Sequence, residues 1–404
     1  MTDILFTDAK EQSLSRVLLL MMSMAAGLAV ASLYYSQPLL GNLVTDLNVS
    51  AQQIGSLPTL TQAGYAIGML LLTPLGDRVN RRSIILYKGI ALVAALLLTS
   101  YVHSFALLMF ASFLMGLMAT LAQDIIPMAA QLSPSSSRGH TVGTVMTGLL
   151  CGILLSRVFS GFIGDLWGWR IVFLLAAIFV AVIVALLYKV APNSQPQSTL
   201  SYPQLIGSIA KLFVVHKVVR QAALVQGLLS MGFSAFWTTI ALHLSDSPLH
   251  LGSSVAGLFG LLGAFGALLA PKLGKLTDKK GGIYVARIGA ALTGLSFALM
   301  LVTHLLITSI VIELVLMSIA TIFFDLGVQM SLIAHQNICY KAAEHALSRV
   351  NSILLVGVFI GMSLGSLVAS YCYAHMGWTG VMSFATTVSV CALGIRLLNH
   401  SDKA

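Results

Sequence analysis

Charged residues make up 9% of this 404-residue chain and hydrophobic residues 57%. Acids and bases inside its long apolar runs are therefore the first place to look for chemistry. Arg157, Glu313, Asp124 and Asp325 are four such residues. An ionisable group in hydrocarbon is costly, so it faces a cavity or a partner and marks a ligand or proton path. Counting about 1.5 Å per helical residue, Arg157 falls in the outer half of the run 141–165. Glu313 falls about 12 Å in from the outer end of the run 305–329, at a similar depth. Two readings are open for this pair. If both face one cavity, Arg157 binds an anionic group and Glu313 exchanges a proton. Otherwise they form a structural ion pair or bond separately to backbone. Uncharged polar groups also enter the runs, among them Tyr34, Tyr35, Gln37, Gln62, Tyr65, Gln123, Gln226, Trp237 and Gln329. Together they resemble the mixed aromatic and polar wall of a small-molecule site.

The elements that carry these groups are twelve apolar spans, roughly 16–40, 53–75, 83–102, 105–127, 141–165, 169–190, 220–244, 252–271, 283–302, 305–329, 348–373 and 377–398. Each is long enough to cross about 30 Å of hydrocarbon as a helix. The chain reads as an all-α polytopic membrane protein with 12 transmembrane helices, because a soluble fold of this length could not bury so much apolar surface. The formal charge of +9 does not point to nucleic acid. Apart from Arg157 and Arg170, the basic residues are assigned to the termini and alternate loops, as the positive-inside rule asks of cytoplasmic segments. The opposite loops, such as 41–52 and 245–251, carry Asp46, Asp246 and His250 but no Lys or Arg. Both termini are then cytoplasmic. A multi-pass chain of this kind reads as having no cleaved signal peptide. Cys151, Cys339, Cys372 and Cys391 show neither metal spacing nor a disulfide framework. No metal or cofactor is expected.

The chain also repeats itself. The charged stretch Thr73-Pro-Leu-Gly-Asp-Arg-Val-Asn-Arg-Arg82 has a second version in Gly274-Lys-Leu-Thr-Asp-Lys-Lys-Gly281. Asp77 and Asp278 are 201 residues apart, as are Asp124 and Asp325. Asn80 and Gly281 fall where a left-handed backbone is expected, which those residue types tolerate best. Gly148, Gly152 and Ser156 in span five match Gly357, Gly361 and Gly365 in span eleven at an offset of 209, as do Gly168-Trp169 and Gly377-Trp378. Small residues every fourth position let helix backbones approach closely. Static packing is one reading of these stripes, and a smooth surface over which two halves rock is the other, favoured here. The repeats divide the chain into a six-helix bundle over 1–190, a cytoplasmic linker over 191–219 and a second bundle over 220–404. Within the linker, 205–215 reads as an amphipathic stretch on the membrane surface.

Both hairpins resemble the loop signature of the major facilitator superfamily, G-x-L-x-D-R/K-x-G-R-R, between the second and third helices of each half. The first copy has Thr73 and Asn80 in place of Gly, and the second lacks the trailing basic pair. The resemblance implies two pseudo-symmetric six-helix bundles with a central cavity lined by spans one, four, seven and ten. Tyr35, Gln37, Gln123, Gln226 and Gln329 would then contact substrate together with Arg157. It further implies a conformational latch built from Asp77, Arg78, Arg81 and Asp124, with Asp278 and Lys279 as the second half's counterpart. In that latch Asp124 pairs with Arg81 or Arg78, and Asp77 faces the N-terminus of span eleven, a favourable place for an anion. Proton carriage is the alternative role for Asp124 and Asp325.

Tyr34-Tyr-Ser-Gln-Pro-Leu-Leu40 and Thr141-Val-Gly-Thr-Val-Met-Thr-Gly148 resemble bacterial exporters of the drug:proton antiporter branch. That branch has an Arg in span four where this chain has Ser112, and Gly-Pro in span five where it has Gly152-Ile153. The expected activity is secondary active transport by alternating access, by proton-coupled efflux of a small organic molecule. Import of a small, possibly anionic metabolite by proton symport is the runner-up. Glu313 and Asp325 are the candidate proton-coupling residues. No G-x-x-x-x-G-K-S/T, HExxH or GxSxG motif is present to suggest nucleotide hydrolysis or an enzyme. The expected partners are a small-molecule substrate, protons and the lipid of a bacterial inner membrane around a monomer, with no nucleic acid.

Overall fold

The computed structural model describes residues 15–398 except 135–136, 194–199, 247–249 and 344–345, with the side chains of 264–268, 270 and 271 also outside the description. Pro196 of the linker and Gly266 of span eight lie outside the described residues. Among the described residues the secondary structure is helical throughout. Span one comprises α1 (Arg16–Ala31), a 3₁₀ turn at Gln37–Leu39 and α2 (Leu40–Leu47); α3 (Ala51–Ile54) and α4 (Ser56–Leu71) form span two. Pro38 starts the 3₁₀ turn, because its missing N–H and fixed φ suit only the beginning of a new helical segment. α5 (Arg81–Tyr101), then α6 (Phe105–Ala119) with α7 (Leu121–Gln131), α8 (Arg138–Trp167) and α9 (Trp169–Val190) give spans three to six. α10 (Tyr202–Val215) lies in the linker. α11 (Lys217–Ser245), α12 (Ser253–Lys280), α13 (Gly282–Leu306), α14 (Ile310–Ala342) and α15 (Leu347–Leu398) complete the chain. Among the described residues eight helices, with α6 and α7 taken as one, are long and apolar enough to cross a bilayer. One of them, α15, is two spans broken at Gly377.

The Gly-Trp repeats have a backbone cause. Gly168 and Gly377 have φ of +84° and +59°. A side chain at either position would be strained, so glycine lets two spans meet end to end there. Asn80 and Gly281 do not share one conformation as expected. Gly281 has φ of +88°, whereas Asn80 has φ of −56° and caps α5 by accepting from the Arg82 N–H at 3.0 Å. Its amide oxygen supplies what the backbone geometry does not.

The small-residue stripes pack mainly inside each set of six spans. A Cβ on Gly152 would lie 2.1 Å from the Gly27 carbonyl oxygen of α1, and one on Gly148 2.4 Å from that of Ser23. The counterparts behave alike: a Cβ on Gly361 would lie 2.2 Å from the Gly227 oxygen of α11, and one on Gly365 2.3 Å from that of Met231. Gly64 and Gly68 press on α6. Gly148, Gly152, Gly361 and Gly365 thus make static backbone contacts of α8 with α1 and of α15 with α11, while other residues of α8 and α15 face the other set of spans. Gly161 of α8, one residue off the stripe, faces Ser253 and Gly257 of α12.

The two sets of spans meet along α8–α12 and α4–α15. Asp165 at the end of α8 accepts from the Ser253 and Ser254 N–H groups that open α12, at 3.0 and 2.7 Å. This satisfies two orphan donors and sets an anion on the positive helix end. Gly55 faces Ser370, Ser363 donates to the Thr59 carbonyl, and Gln62 accepts from Ser234 (3.2 Å) and Ser366 (3.1 Å). Along α10, Leu205, Ile209 and Leu212 are buried on one face, and Tyr202 donates to the Leu71 carbonyl at 2.7 Å.

Gly361→Val is expected to destabilise the protein by about 1–3 kcal/mol through overpacking against fixed backbone. Gly143→Ala, where a Cβ would meet nothing within 4 Å, should leave stability nearly unchanged. Thermal unfolding of both variants in detergent checks the contrast.

Candidate functional site

Arg157 is 2% exposed on α8. Its Nε donates to Gln37 Oε1 at 2.9 Å, and its guanidinium carbon lies 4.6 Å from the Tyr34 ring centroid and 4.2 Å from that of Trp237. Desolvated cation–π contacts of this kind are worth about 2 kcal/mol or more. They hold the plane of the guanidinium while leaving its edge able to donate. Nη1 reaches only the Ile153 carbonyl at 3.4 Å, and Nη2 has no hydrogen-bond partner. Gln37 Nε2 is also without one. Gly257 and Gly260 are what let α12 lie against this arginine, since a Cβ on Gly260 would sit 3.0 Å from Arg157 Cβ.

Asp325 supplies the opposite charge. α14 runs on to Ala342, well past the expected span end at 329, so Asp325 lies midway along it rather than at the cytoplasmic end. It reaches the neighbourhood of the arginine through Trp237, which covers Arg157 and shares the Gly263 surface with Asp325. A Cβ on Gly263 would lie 2.5 Å from Asp325 Oδ2 and 3.6 Å from the Trp237 ring. Asp325 Oδ1 has no hydrogen-bond partner. A guanidinium, an amide and a carboxylate with spare donors and acceptors thus converge from both sets of spans. Buried polar groups left unmatched cost about 1–3 kcal/mol each, so the arrangement is suited to a polar ligand that completes them.

Other expected site residues separate. Glu313 does not share the depth of Arg157. α14 begins at Ile310, so Glu313 is in its first turn, hydrogen-bonded to His304 Nδ1 at 2.7 Å. The reason is the break at Ile307–Ser309, which shortens the span at that end. Tyr35 points away from Arg157 and packs with Phe159 and Phe173, at 5.9 and 6.4 Å between ring centroids; its neighbour Tyr34 faces the arginine. Gln123 donates to Tyr65 Oη at 3.0 Å, and that ring contacts Phe359, so the pair bridges α7, α4 and α15. Gln226 is committed to His335 Nδ1 at 2.8 Å, and His335 Nε2 accepts from Arg396 Nε at 3.0 Å. Gln329 is half-buried one turn beyond Asp325.

The charged hairpin is arranged differently from the expected latch. Asp77 pairs with Arg81 at 2.6 Å. Asp124, fully buried, accepts from Lys88 Nζ at 2.6 Å, with Arg81 close by. Arg78 is exposed, as are Asp278 and Lys279; Asp278 accepts a long bond of 3.4 Å from Asn337. The hydrogen-bonding base of Asp124 is therefore Lys88. That lysine lies seven residues into α5, inside a span and not in a loop, and Arg396 is likewise buried in α15. Both were legible as basic residues within apolar runs.

A sequence profile described as Major Facilitator Superfamily matches residues 19–341. The chain belongs to the major facilitator superfamily. It is a secondary transporter. This superfamily member is 36% identical over 380 residues to YgaY, an uncharacterized transporter of Escherichia coli, covering 94% of this chain and 95% of that one. It is 26% identical to the multi-drug resistance efflux pump PmrA of Streptococcus pneumoniae over 274 residues, 62% of this chain and 64% of PmrA. The solved structure of the nucleoside transporter NupG shares its fold, with a TM-score of 0.74 at 13% identity over 94% of this chain and 97% of that one.

Lys88→Met should remove the hydrogen-bonded cation of buried Asp124, leaving Arg81 as the nearby charge, and destabilise the transporter by about 3 kcal/mol. The double variant Lys88→Met/Asp124→Asn should recover most of that loss. Denaturant or thermal unfolding of wild type, both single variants and the double variant measures the coupling.

Proposed function

We propose that this transporter exports a small organic molecule against proton entry, by alternating access between bundles 1–190 and 220–404 joined by the linker 191–219. The observation that carries the reading is the convergence of Gln37 and Arg157 from the first bundle with Trp237 and Asp325 from the second, each of the three polar groups keeping an unmatched atom. A site near the bilayer midplane between two repeats is where a carrier can expose a ligand to either side in turn.

In this reading Asp325 carries the proton, and Glu313 does not. When Asp325 is ionised its unmatched oxygen accepts from a donor group of the substrate while Arg157 holds an acceptor group. Protonation from outside removes that acceptor and expels the substrate, and loss of the proton to the inside restores it, so proton and substrate exclude one another as antiport requires. The indole of Trp237 and the ring of Tyr34 keep the guanidinium in place through the cycle. Tyr35 and Gln226 are held by the protein itself and are not given substrate contacts. Gln123 and Gln329 stay candidates at the inner side of the site.

The outer ends of the bundles are joined by Asp165 on α12 and by Gly55 against Ser370. Gly139 and Gly143, at the other end of α8, face open space. With both termini cytoplasmic in the inner membrane, this is a form closed to the outside. Asp77 and Asp124 then hold partners within their own bundle, as an open latch would. Similarity to PmrA supports export over import.

Asp325→Asn should abolish uphill transport yet spare substrate exchange, while Arg157→Ala should lose both. The substrate is found by comparing small molecules inside and outside cells expressing wild type or Arg157→Ala. A compound enriched in the medium only with wild type supports export. One depleted from the medium and held in the cells makes the protein an importer. Full uphill transport by Asp325→Asn would sink the coupling assignment.

A further inference from the structure

At the ends of the helices opposite the charged hairpin, three potential ligands from three helices meet. His243 is in the last turn of α11, His304 in the last turn of α13 and Glu313 in the first turn of α14. One donor atom from each lies within 4.8 Å of the others. His304 Nδ1 is 2.7 Å from Glu313 Oε1, and His243 Nε2 is 3.8 Å from the same oxygen. The second distance is too long for a hydrogen bond. His243 Nε2 accordingly has no hydrogen-bond partner, although its side chain is only 10% exposed.

We propose that His243, His304 and Glu313 bind a divalent transition-metal ion, with zinc the best match. Two imidazoles and one carboxylate are the ligand chemistry of such ions and not of calcium or magnesium, which take oxygen sets. With metal–nitrogen and metal–oxygen bonds of about 2.0–2.2 Å, neighbouring ligand atoms of a tetrahedral ion lie about 3.3 Å apart. The observed 2.7 and 3.8 Å straddle that value. Seating an ion therefore needs the His304–Glu313 pair to open slightly and His243 to close. The unpartnered nitrogen of His243 gains a partner as this happens.

The surroundings favour a fixed site. The His243 ring lies flat on Trp378, with centroids 4.2 Å apart and planes 8° apart, which sets the direction of its nitrogen. The break at Ile307–Ser309 turns α13 directly into α14 and keeps His304 and Glu313 nine residues apart in sequence and in contact. His304 is the most exposed of the three, at 30%, and leaves an entry path and a fourth position for water. The ion would clamp α11, α13 and α14 at one end. Two of these helices carry Trp237 and Asp325, so the clamp would brace one wall of the central site without joining the two bundles.

The test uses the purified full-length transporter, freed of any affinity tag and stripped with chelator. Zinc is titrated calorimetrically, and cobalt is used as an absorbing substitute whose spectrum reports tetrahedral nitrogen and oxygen ligation. Wild type should bind one zinc ion per chain and unfold at a higher temperature when loaded. His304→Ala and Glu313→Gln should each weaken binding by about tenfold or more and lose both the cobalt bands and the thermal shift. His304 is at the edge of the fold, so its variant should fold, and its unfolding temperature without metal checks this. No stoichiometric binding by wild type, or wild-type affinity in both variants, overturns the site.

Discussion

The structure depends on one electrostatic constraint: a buried guanidinium in a chain built for lipid. An isolated charge there is expensive, and Arg157 can stay charged only because its surroundings are arranged for it. Two aromatic faces cover its plane, the Gln37 oxygen takes one N–H, and Asp325 balances it from another helix. These partners come from three elements, the turn after α1, α11 and α14, so satisfying one arginine ties all three to α8. The glycines of α12 follow from the same need, since α12 must come within backbone distance of α8 for Asp325 and Arg157 to share one space. Because that solution leaves donors and acceptors over, the site is stable enough to exist and unsatisfied enough to bind.

A second constraint is the absence of a hydrophobic driving force between helices in lipid. Backbone proximity replaces it. The α1–α8 and α11–α15 pairs use glycine for this in equivalent ways, Gly27 against Gly148 and Gly152, and Gly227 against Gly357 and Gly361. Contact of this kind is rigid, because neither backbone can yield. Each bundle is thus internally stiff. Contacts between the bundles mix two types: Gly161 and Gly257 bring α8 and α12 to backbone distance, while hydroxyls, Gln62 and the carboxylate of Asp165 on a helix end make hydrogen bonds. Those hydrogen bonds can be exchanged for water or new partners.

The charged hairpin shows the same economy. Asp77 with Arg81, and Asp124 with Lys88, place two acids and two bases around a turn whose Gly76 has no room for a side chain. Asp124 is buried and Asp77 is partly exposed, so the buried acid takes the buried lysine and the accessible acid keeps a partner it can release.

The fold was legible in the sequence because it rests on local quantities. Run length, the placement of basic residues and the offsets of 201 and 209 are properties of the chain alone, and they are enough to indicate twelve spans in two similar sets. Arg157 and Asp325 were visible for the same reason, as charges in apolar surroundings. Partner choice was not legible. Whether Asp325 or Glu313 faces Arg157 turns on where α14 begins and ends, and a three-residue break displaced Glu313 to the rim and brought Asp325 to the middle. Tyr34 and Tyr35 are one residue apart, so only the course of the turn between Ala31 and Gln37 decides which meets the guanidinium. The glycine stripes announced close packing but not the partner, since a smooth helix face fits any other smooth face. His243, His304 and Glu313 span 70 residues of sequence on three helices, and no spacing rule joins them. The chain by itself determined which residues had to find partners in a medium without water; only the tertiary structure decided which partners, because helix ends and rotations, not composition, set the distances between them.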